Sequence, residues 1–418
     1  MSTAPGTAPS TAPGAARVPV WHTPVVVILV ACLIAMVGFG IRSIFGLFLE
    51  PMTIARGWDR ETFALAMAIQ NLLWGVGLPV AGALADRYGP RWVLTGGAAI
   101  YAAGVWGMAV AESSFALHFF GGLLTGLGVA FTAFSLALAA MARVVGPERR
   151  SLALGLGTAA GSFGQVVFSP LGQGFIAAFG WEPALLILAV VSLVIAPLAM
   201  LLPNDTQAGS GAIREQTVAE ALREAAGHRG YVLLTLGFFV CGFHVAFITV
   251  HFPAYAVDIG LGAHVGAYSI ALIGLFNIAG SFLSGAAGQR WSKKCGLSAI
   301  YLARAIAIFA LLMAPKTEAT IYLFAAVMGL LWLSTVPLTT GIVAQVFGVR
   351  YMATLFGIVF LSHQVGSFLG VWLGGYLFDT TGSYDPIWWA GVVLGLLAAL
   401  VHLPINEKPL PRLATQGA

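Results

Sequence analysis

One arginine of this sequence lies well inside a long apolar segment. Arg42 belongs to the apolar run 24–49, and Gly38 and Gly46 stand four residues before and after it. An ionised guanidinium in hydrocarbon costs at least about 2.5–3.5 kcal/mol, so it needs a partner or a wet cavity. Its planar fork of N–H groups matches a carboxylate with two parallel hydrogen bonds. Because both glycines share its helical face and leave room beside it, the pattern favours an anion-binding site. The alternative is a side chain that extends to the outer surface or holds a backbone carbonyl.

Polar residues form a stripe along a later apolar segment. His244, Ile248, His251 and Tyr255 are spaced so that they share one face of a helix. Since histidine ordinarily titrates near neutral pH, His244 is the candidate carrier of a coupled proton and a candidate ligand of the cargo. The alternative is a neutral ring bonded to a backbone carbonyl. His251 lies nearer the end of the segment and fits a peripheral position.

A few other polar side chains interrupt the apolar segments. Gln70, Asn71, Asn277 and Gln364 complete the predicted substrate-binding set. Each of these amides also suits a hydrogen bond between two membrane helices, so that second interpretation stays open. Arg304 lies inside an apolar segment too. We expect Arg304 to support the cytoplasmic ends of the helices rather than to bind cargo.

The sequence offers no arrangement for covalent chemistry. All acidic residues fall in loops or at the ends of apolar segments, and no G-x-x-x-x-G-K-[ST] loop, metal-ligand cluster or nucleophile–base pair occurs. Cys32, Cys241 and Cys295 lie far apart and suit small core residues. The sequence therefore predicts a protein that is not an enzyme and that binds no cofactor or metal. The lack of an interior carboxylate also argues against a carrier of cations.

The composition requires lipid as the solvent. Hydrophobic residues make up 59% of the 418 positions and charged residues 9%, against about 25% charged residues in soluble domains. Since a backbone that crosses hydrocarbon must satisfy its own hydrogen bonds, spanning segments of about 20 residues are helices. We predict an all-α integral membrane protein with twelve transmembrane helices. They lie at about 24–49, 62–85, 92–111, 114–142, 151–178, 182–202, 230–257, 264–288, 296–314, 319–346, 352–378 and 385–404.

Basic residues predict the orientation. All Lys and Arg except Arg42, Arg56, Arg60, Arg304 and Lys316 fall in the even-numbered loops or in the two tails. The positive-inside rule therefore places both termini in the cytoplasm, and the Ala/Gly-rich composition is compatible with a bacterial inner membrane. The predicted parts are a disordered tail 1–23, six-helix bundles 24–202 and 230–404, a cytoplasmic linker 203–229 and a C-terminal tail 405–418.

The two halves repeat each other. Gly82, Arg87 and Arg91 recur at a constant displacement of 203 as Gly285, Arg290 and Lys294. In the second copy Gln289 stands where the first has Asp86, so we expect a weaker charge cluster there. Halves repeated in the same orientation imply a pseudo-twofold axis along the membrane normal and a site at their interface near the midplane.

The turn after the second segment carries a specific motif. Gly82-Ala-Leu-Ala-Asp86-Arg87-Tyr-Gly89-Pro-Arg91 resembles the signature of the major facilitator superfamily, which implies the major facilitator fold. A small residue lets helices approach, while an acid and two bases form a charge latch that is made in one state and broken in another. The predicted conformational latch comprises Gly82, Asp86, Arg87, Gly89, Arg91, Arg290 and Lys294.

A narrower resemblance to a known family involves one stretch of sequence from each half. The stretches 40–49 and 242–255 are similar to the first and seventh spans of the monocarboxylate transporter family and its bacterial relatives, which have a basic residue at the place of Arg42. That family has an Asp–Arg pair in the eighth span, whereas this chain has Asn277 and Ser281 there. The resemblance implies a monocarboxylate as cargo, and the departure leaves open how transport is coupled to protons.

These observations predict a secondary active transporter of a small organic anion, a monocarboxylate, by proton symport or anion exchange with alternating access. Its expected partners are the anion, H⁺ and the lipid bilayer, with no nucleic acid, and it is expected to work as a monomer. One alternative is an exporter of neutral or amphipathic compounds, which the Pro-Gly cluster 169–174 favours. Another is a non-transporting membrane sensor or an enzyme on the same scaffold.

Overall fold

The computed structural model describes residues 23–133, 135–137, 141, 147–204, 217–348 and 351–411. Within these ranges it is helical, with no strand. Most of the predicted N-terminal tail, residues 205–216 of the linker and the last residues of the C-terminal tail lie outside the described residues. The twelve spans, numbered in chain order, are Pro24–Arg56, Arg60–Tyr88, Pro90–Val110, Ser114–Ala137, Pro147–Phe179, Trp181–Met200, Arg229–Asp258, Ala263–Arg290, Lys293–Met313, Glu318–Phe347, Met352–Thr381 and Asp385–His402.

The predicted all-α, twelve-helix membrane fold is confirmed. Eleven of these helices are long and apolar enough to cross a bilayer. The helix Pro147–Phe179, with 33 residues, takes the place of the predicted fifth span. The predicted boundaries of the two bundles at 24–202 and 230–404 stay predictions. Within the linker, a helix over Val218–Gly227 begins with a capping box between Thr217 and Glu220.

Each half has its own apolar core. In the first half, span one packs against span five, and spans two, three and four pack together. The core of this half includes the fully buried residues Ile34, Phe63 and Tyr101. In the second half, span seven packs against spans eleven and twelve, with Trp332 and Trp388 among the largest buried side chains. The halves meet along span two with span eleven and along span five with span eight, and the 3-10 turn of span one, Phe45–Phe48, also contacts span seven.

The short turn between spans two and three explains one glycine of the predicted latch. Gly89 has φ +89°, a conformation that side chains other than glycine rarely adopt. A methyl group there would also fall on the side chain of Asn204. Pro90 follows at the first helical position of span three, where its missing N–H costs nothing. We call the end of the protein with this turn the inner end, and the opposite end the outer end.

Spans two and eleven touch toward the outer end and separate toward the inner end. A methyl group at Gly375 would stand 2.7 Å from Ala64 Cβ, and one at Gly75 would stand 2.7 Å from Gln364 Cγ. Gly82 lies two turns beyond Gly75 on the same face of span two, yet no atom of the described residues lies within 4 Å of a methyl group placed there. The two halves are therefore closed against each other at the outer end.

Several spans contain interruptions of their regular α-helical structure. Span one changes to a 3-10 turn at Phe45–Phe48, and span four contains a π-helical stretch at His118–Leu124. Span ten is broken between Leu331 and Thr335. A broken helix at membrane depth frees backbone N–H and C=O groups, which must find partners inside the protein.

The closest approach of spans one and seven generates a prediction. A methyl group at Gly46 would fall on the carbonyl oxygens of Thr249 and Val250, both of them backbone atoms of a long helix. We expect Gly46→Ala to destabilise the protein by about 1–3 kcal/mol, since overpacking forces the halves apart. Thermal denaturation in detergent micelles measures this loss. Gly174→Ala is the control, because nothing in the described structure lies within 4 Å of a methyl group there. Equal melting temperatures for the two variants would contradict the prediction.

Candidate functional site

Arg42 is held on two sides within the first half. Its Nη2 donates a hydrogen bond of 2.6 Å to Oδ1 of Asn71 on span two. The guanidinium carbon lies 4.4 Å from the ring centroid of Trp74 and 5.9 Å from that of Phe39. A guanidinium above an aromatic face is stabilised by the ring quadrupole without using its N–H donors. Arg42 Nε is buried and has no hydrogen-bond partner among the described residues.

Asn71 fixes the orientation of this arginine and connects it to the second half. Asn71 Nδ2 donates to the carbonyl of Met67 at 2.8 Å, which leaves Oδ1 to accept from Arg42. The backbone carbonyl of Asn71 accepts a 2.8 Å hydrogen bond from Nε2 of Gln364 on span eleven. Arg42, Asn71 and Gln364 therefore form one continuous polar chain from span one to span eleven, across the interface between the halves.

The cavity beside Arg42 is small. It measures about 10 Å³, close to the minimum of roughly 10–15 Å³ that holds one water molecule. An organic anion therefore enters only after this region widens. The lining residues come from spans one, two and four: Gly38, Phe39, Arg42, Trp74, Val129, Thr132 and Ala133.

A second and larger cavity lies between the halves, at spans five, eight and ten. Its volume is about 160 Å³, and no charged side chain lines it. Asn277 Nδ2 donates to Ser162 Oγ of the opposite half at 2.9 Å, and Asn277 Oδ1 accepts from Ser281 Oγ at 3.1 Å. The lining residues are Gly155, Thr158, Ala159, Ser162, Asn277, Ile278, Ser281, Phe282 and Pro337.

The break in span ten is held by side chains from spans eight and nine. Asn277 Oδ1 also accepts the N–H of Leu333 at 3.0 Å, and Ser284 Oγ donates to the carbonyl of Ser334. Arg304 is fully buried and donates to the carbonyls of Leu331 and Trp332. The expectation that Arg304 supports the cytoplasmic ends of the spans was wrong. Its side chain satisfies backbone groups freed by the broken helix, which periodicity in span nine does not reveal.

Three of the six predicted binding residues lie apart from Arg42. Gln70 Nε2 donates to the carbonyl of Gly121 on span four at 3.3 Å. His244 is buried within the second half, where its Nε2 donates to the carbonyl of Gly391 on span twelve at 2.8 Å, and its Nδ1 is buried with no partner among the described residues. Asn277 belongs to the larger cavity. The structure thus brings together Arg42, Asn71 and Gln364 and separates the other three.

The residues of the predicted latch lie at the inner end. Arg91 donates from Nε and Nη2 to the carbonyl of Leu202 at 3.3 and 2.9 Å, which ties the start of span three to the end of span six. Arg87 lies over the ring of Tyr88, with 5.2 Å between the guanidinium carbon and the centroid. Asp86 and Arg290 lie near the inner ends of spans two and eight, and Lys294 at the inner end of span nine. Their role as a conformational latch stays a prediction.

The outer end carries a polar network that the sequence interpretation missed. Arg60 on span two pairs with both carboxylate oxygens of Asp258 on span seven at 2.6 and 2.7 Å. Its Nη1 also donates to the hydroxyl of Tyr384 at 3.0 Å, and this hydroxyl donates to His251 Nδ1 at 3.0 Å. Burial raises the pKa of Tyr384, so its hydroxyl stays protonated and able to donate. The sequence feature that could have indicated this network is the pair of opposite charges, Arg60 and Asp258, at the outer ends of spans two and seven.

Comparison with known proteins agrees with this architecture. The family model of the Major Facilitator Superfamily matches residues 28–370 and 275–418. The chain belongs to this superfamily. It is therefore a membrane transporter, with a small molecule as its substrate and the bilayer as its environment.

Similar proteins cover most of the chain. "Monocarboxylate transporter 13" of Rattus norvegicus is 27% identical over 362 residues, which cover 83% of this chain and 80% of that protein. "Uncharacterized MFS-type transporter YcxA" of Bacillus subtilis (strain 168) is 25% identical over 389 residues, covering 88% and 91%. A crystal structure of a D-xylose-proton symporter matches the fold with a TM-score of 0.75 at 15% identity, covering 92% of this chain and 99% of that one.

The link between Asn71 and Arg42 generates a prediction. We expect Asn71→Ala to raise the KM for uptake by about 10-fold or more, because a hydrogen bond to a charged group contributes about 1.5–3 kcal/mol. Uptake of small carboxylates by proteoliposomes measures the KM. Gln70→Ala is the matched control, since the side chain of this neighbouring amide bonds to span four and, among the described residues, makes no hydrogen bond to Arg42. If both variants change the KM alike, Asn71 does not act through Arg42.

Proposed function

We propose that this protein is a secondary active transporter of a small organic anion, with a monocarboxylate as the leading candidate. The observation that carries the proposal is the guanidinium of Arg42. Asn71 and Trp74 fix its position, and its buried Nε has no hydrogen-bond partner among the described residues. A buried donor without a partner costs free energy, and a carboxylate recovers this cost with two parallel hydrogen bonds.

The electrostatics around Arg42 favour an anion over a cation. No carboxylate of the described residues pairs with this guanidinium, which contacts an amide and two aromatic rings. A solute anion would neutralise it. Because a neutral pair costs less to hold in a low-dielectric interior than a lone charge, binding would lower the barrier to reorientation of the loaded carrier.

One guanidinium and a small cavity suit a cargo with one carboxylate. The names of relatives such as "Monocarboxylate transporter 13" support the same class of solute. Transport would proceed by alternating access, coupled to H⁺ or to exchange with a second anion. His244 is the candidate proton carrier, although its ring faces span twelve rather than Arg42. We also propose that both termini are cytoplasmic, that the protein lies in a bacterial inner membrane and that it works as a monomer.

The larger cavity favours a second candidate function. Its 160 Å³ are lined by hydroxyl, amide and apolar groups, with no charge. Such a lining suits a neutral or amphipathic solute, so an exporter of such compounds is the alternative. Under this alternative Arg42 would stabilise the fold, and solute binding would depend on the side chains around Asn277.

Replacing Arg42 separates the two candidates. We expect Arg42→Ala to abolish carboxylate uptake into proteoliposomes while expression and membrane insertion stay normal. Arg42→Lys keeps the charge but loses the planar fork, so we expect it to restore only a minor part of the uptake. The measurement is initial uptake across a panel of small carboxylates and neutral amphipathic compounds. Normal carboxylate uptake by Arg42→Ala would contradict the anion site, and flux of neutral compounds alone would favour the exporter.

A test of coupling concerns His244. If His244 carries the proton, His244→Gln keeps counterflow exchange but loses acceleration by an inward pH gradient, because exchange needs only loaded carriers to reorient. Both fluxes can be measured in proteoliposomes with and without the gradient. His402→Gln is the control, since His402 is another buried histidine bonded to a backbone carbonyl, that of Ala398. Gradient-driven accumulation by His244→Gln would show that His244 is structural. If uptake by the unmutated protein does not respond to the pH gradient, the protein is an anion exchanger or a uniporter.

A further inference from the structure

We infer that two carboxylates alternate as the cap of span two during the transport cycle. Asp379 of span eleven caps it when the outer end is closed, and Asp59 caps it when the outer end opens. The inference concerns the opening of the outer end and does not depend on the identity of the cargo. It assigns a positioning role in transport to two residues outside the predicted binding set and the predicted latch.

Span two begins with a cap from the other half of the protein. The first N–H groups of a helix have no partner within that helix, and they attract a carboxylate. Here Asp379 Oδ1 accepts the N–H of Arg60 at 3.2 Å, and Asp379 Oδ2 accepts the N–H of Glu61 at 2.6 Å. Asp379 lies near the end of span eleven, so this cap exists only while the two halves are in contact at the outer end.

The residue expected to cap span two is present but unused. Asp59 occupies the N-cap position with φ −69° and ψ 155°, the extended conformation typical of capping residues, and aspartate is among the preferred types there. Its backbone carbonyl accepts the N–H of Thr62 at 3.2 Å, as an N-cap carbonyl does. Its side chain, however, makes no capping hydrogen bond. Asp379 already occupies the N–H groups of Arg60 and Glu61, and Asp59 lies near enough to repel it.

The other contacts of the outer end would break in the same movement. Arg60 pairs with Asp258 and lies 3.8 Å over the ring of Phe378. Trp372 Nε1 donates to Glu61 Oε1 at 2.9 Å. All these partners belong to the second half, so separation of the halves removes them together with Asp379. Asp59 moves with span two and can take over the exposed N–H groups. Exchange of the caps therefore keeps the opened helix end satisfied and the opening reversible.

The two acids consequently have opposite effects on the same equilibrium. Loss of Asp379 weakens only the closed outer end, whereas loss of Asp59 weakens only the open one. Loss of both removes one cap from each state and returns the ratio of the states toward that of the unmutated protein. If each substitution instead damaged the fold in general, the two destabilising effects would add in the double variant.

A cysteine at Ala254 reports on this equilibrium. Ala254 is a buried residue near the outer end of span seven that packs in the apolar core of the first half. Ala254→Cys is made in the full chain with Cys32, Cys241 and Cys295 replaced by alanine. The purified protein is placed in lipid nanodiscs and treated with a water-soluble maleimide, whose rate of reaction measures how often the outer end opens. No cargo is needed, so the result is independent of the anion-site proposal.

We expect Asp379→Ala to speed labelling by roughly 3- to 30-fold, the range given by loss of a helix cap, and Asp59→Ala to slow it by a similar factor. The double variant is expected to label at a rate near that of the reporter protein. Glu318→Ala is the matched control, an acid at the outer end of span ten that contacts only His264 among the described charged groups, and its rate is expected to be unchanged. Equal rates for Asp379→Ala and Glu318→Ala would overturn the cap from span eleven. Faster labelling of Asp59→Ala would overturn the exchange of caps.

Discussion

The structure depends on one constraint, which is that lipid offers no hydrogen-bond partner to a backbone group that leaves a helix. The broken span ten shows the consequence most fully. Arg304 donates to the carbonyls of Leu331 and Trp332, and Asn277 accepts the N–H of Leu333. These side chains come from two other spans, so the break is stable only in the folded bundle. Polar residues inside the apolar segments thus serve the backbone first, and only some of them remain for a solute.

The two arginines that lie inside spans, Arg42 and Arg304, illustrate this division. Arg304 is fully buried, and its Nε and Nη2 donate to backbone carbonyls at the break of span ten, while its Nη1 has no partner among the described residues. Its bonded donors make it part of the scaffold. Arg42 bonds to one side-chain amide and lies over the face of Trp74, and its Nε has no partner in the part of the chain that the structure describes. The difference lies in what surrounds each residue. Carbonyls freed by a helix break are permanent acceptors, whereas an amide and an aromatic ring hold the cation in place and leave donors for a transient ligand.

The sequence predicted the spans, the repeat and the turn at Gly89 because these depend on local composition and spacing. The i, i+7 spacing of His244 and His251 indicates one helical face, and both residues lie in one continuous helix. His244 donates to a backbone carbonyl of span twelve and His251 to one of span eleven. The sequence could not say which neighbour that face meets. Span seven is apolar nearly all round, so periodicity contains no signal for the direction of the cavity. The contact of Arg42 with Asn71 was not predictable either, because it depends on the relative register of spans one and two.

Spans two and eleven are antiparallel and connect the halves at more than one depth. Near the middle, Gln364 donates to the Asn71 carbonyl, and Asn71 in turn holds Arg42. At the outer end, Asp379 bonds to the first N–H groups of span two. Toward the inner end the helices separate before they reach Gly82. A rotation of the halves about the middle contact would open one end and close the other while it moves Arg42 very little. In the proposed alternating-access mechanism, the candidate binding site would therefore lie next to the pivot, where a bound solute would stay in place as access changed from one side to the other.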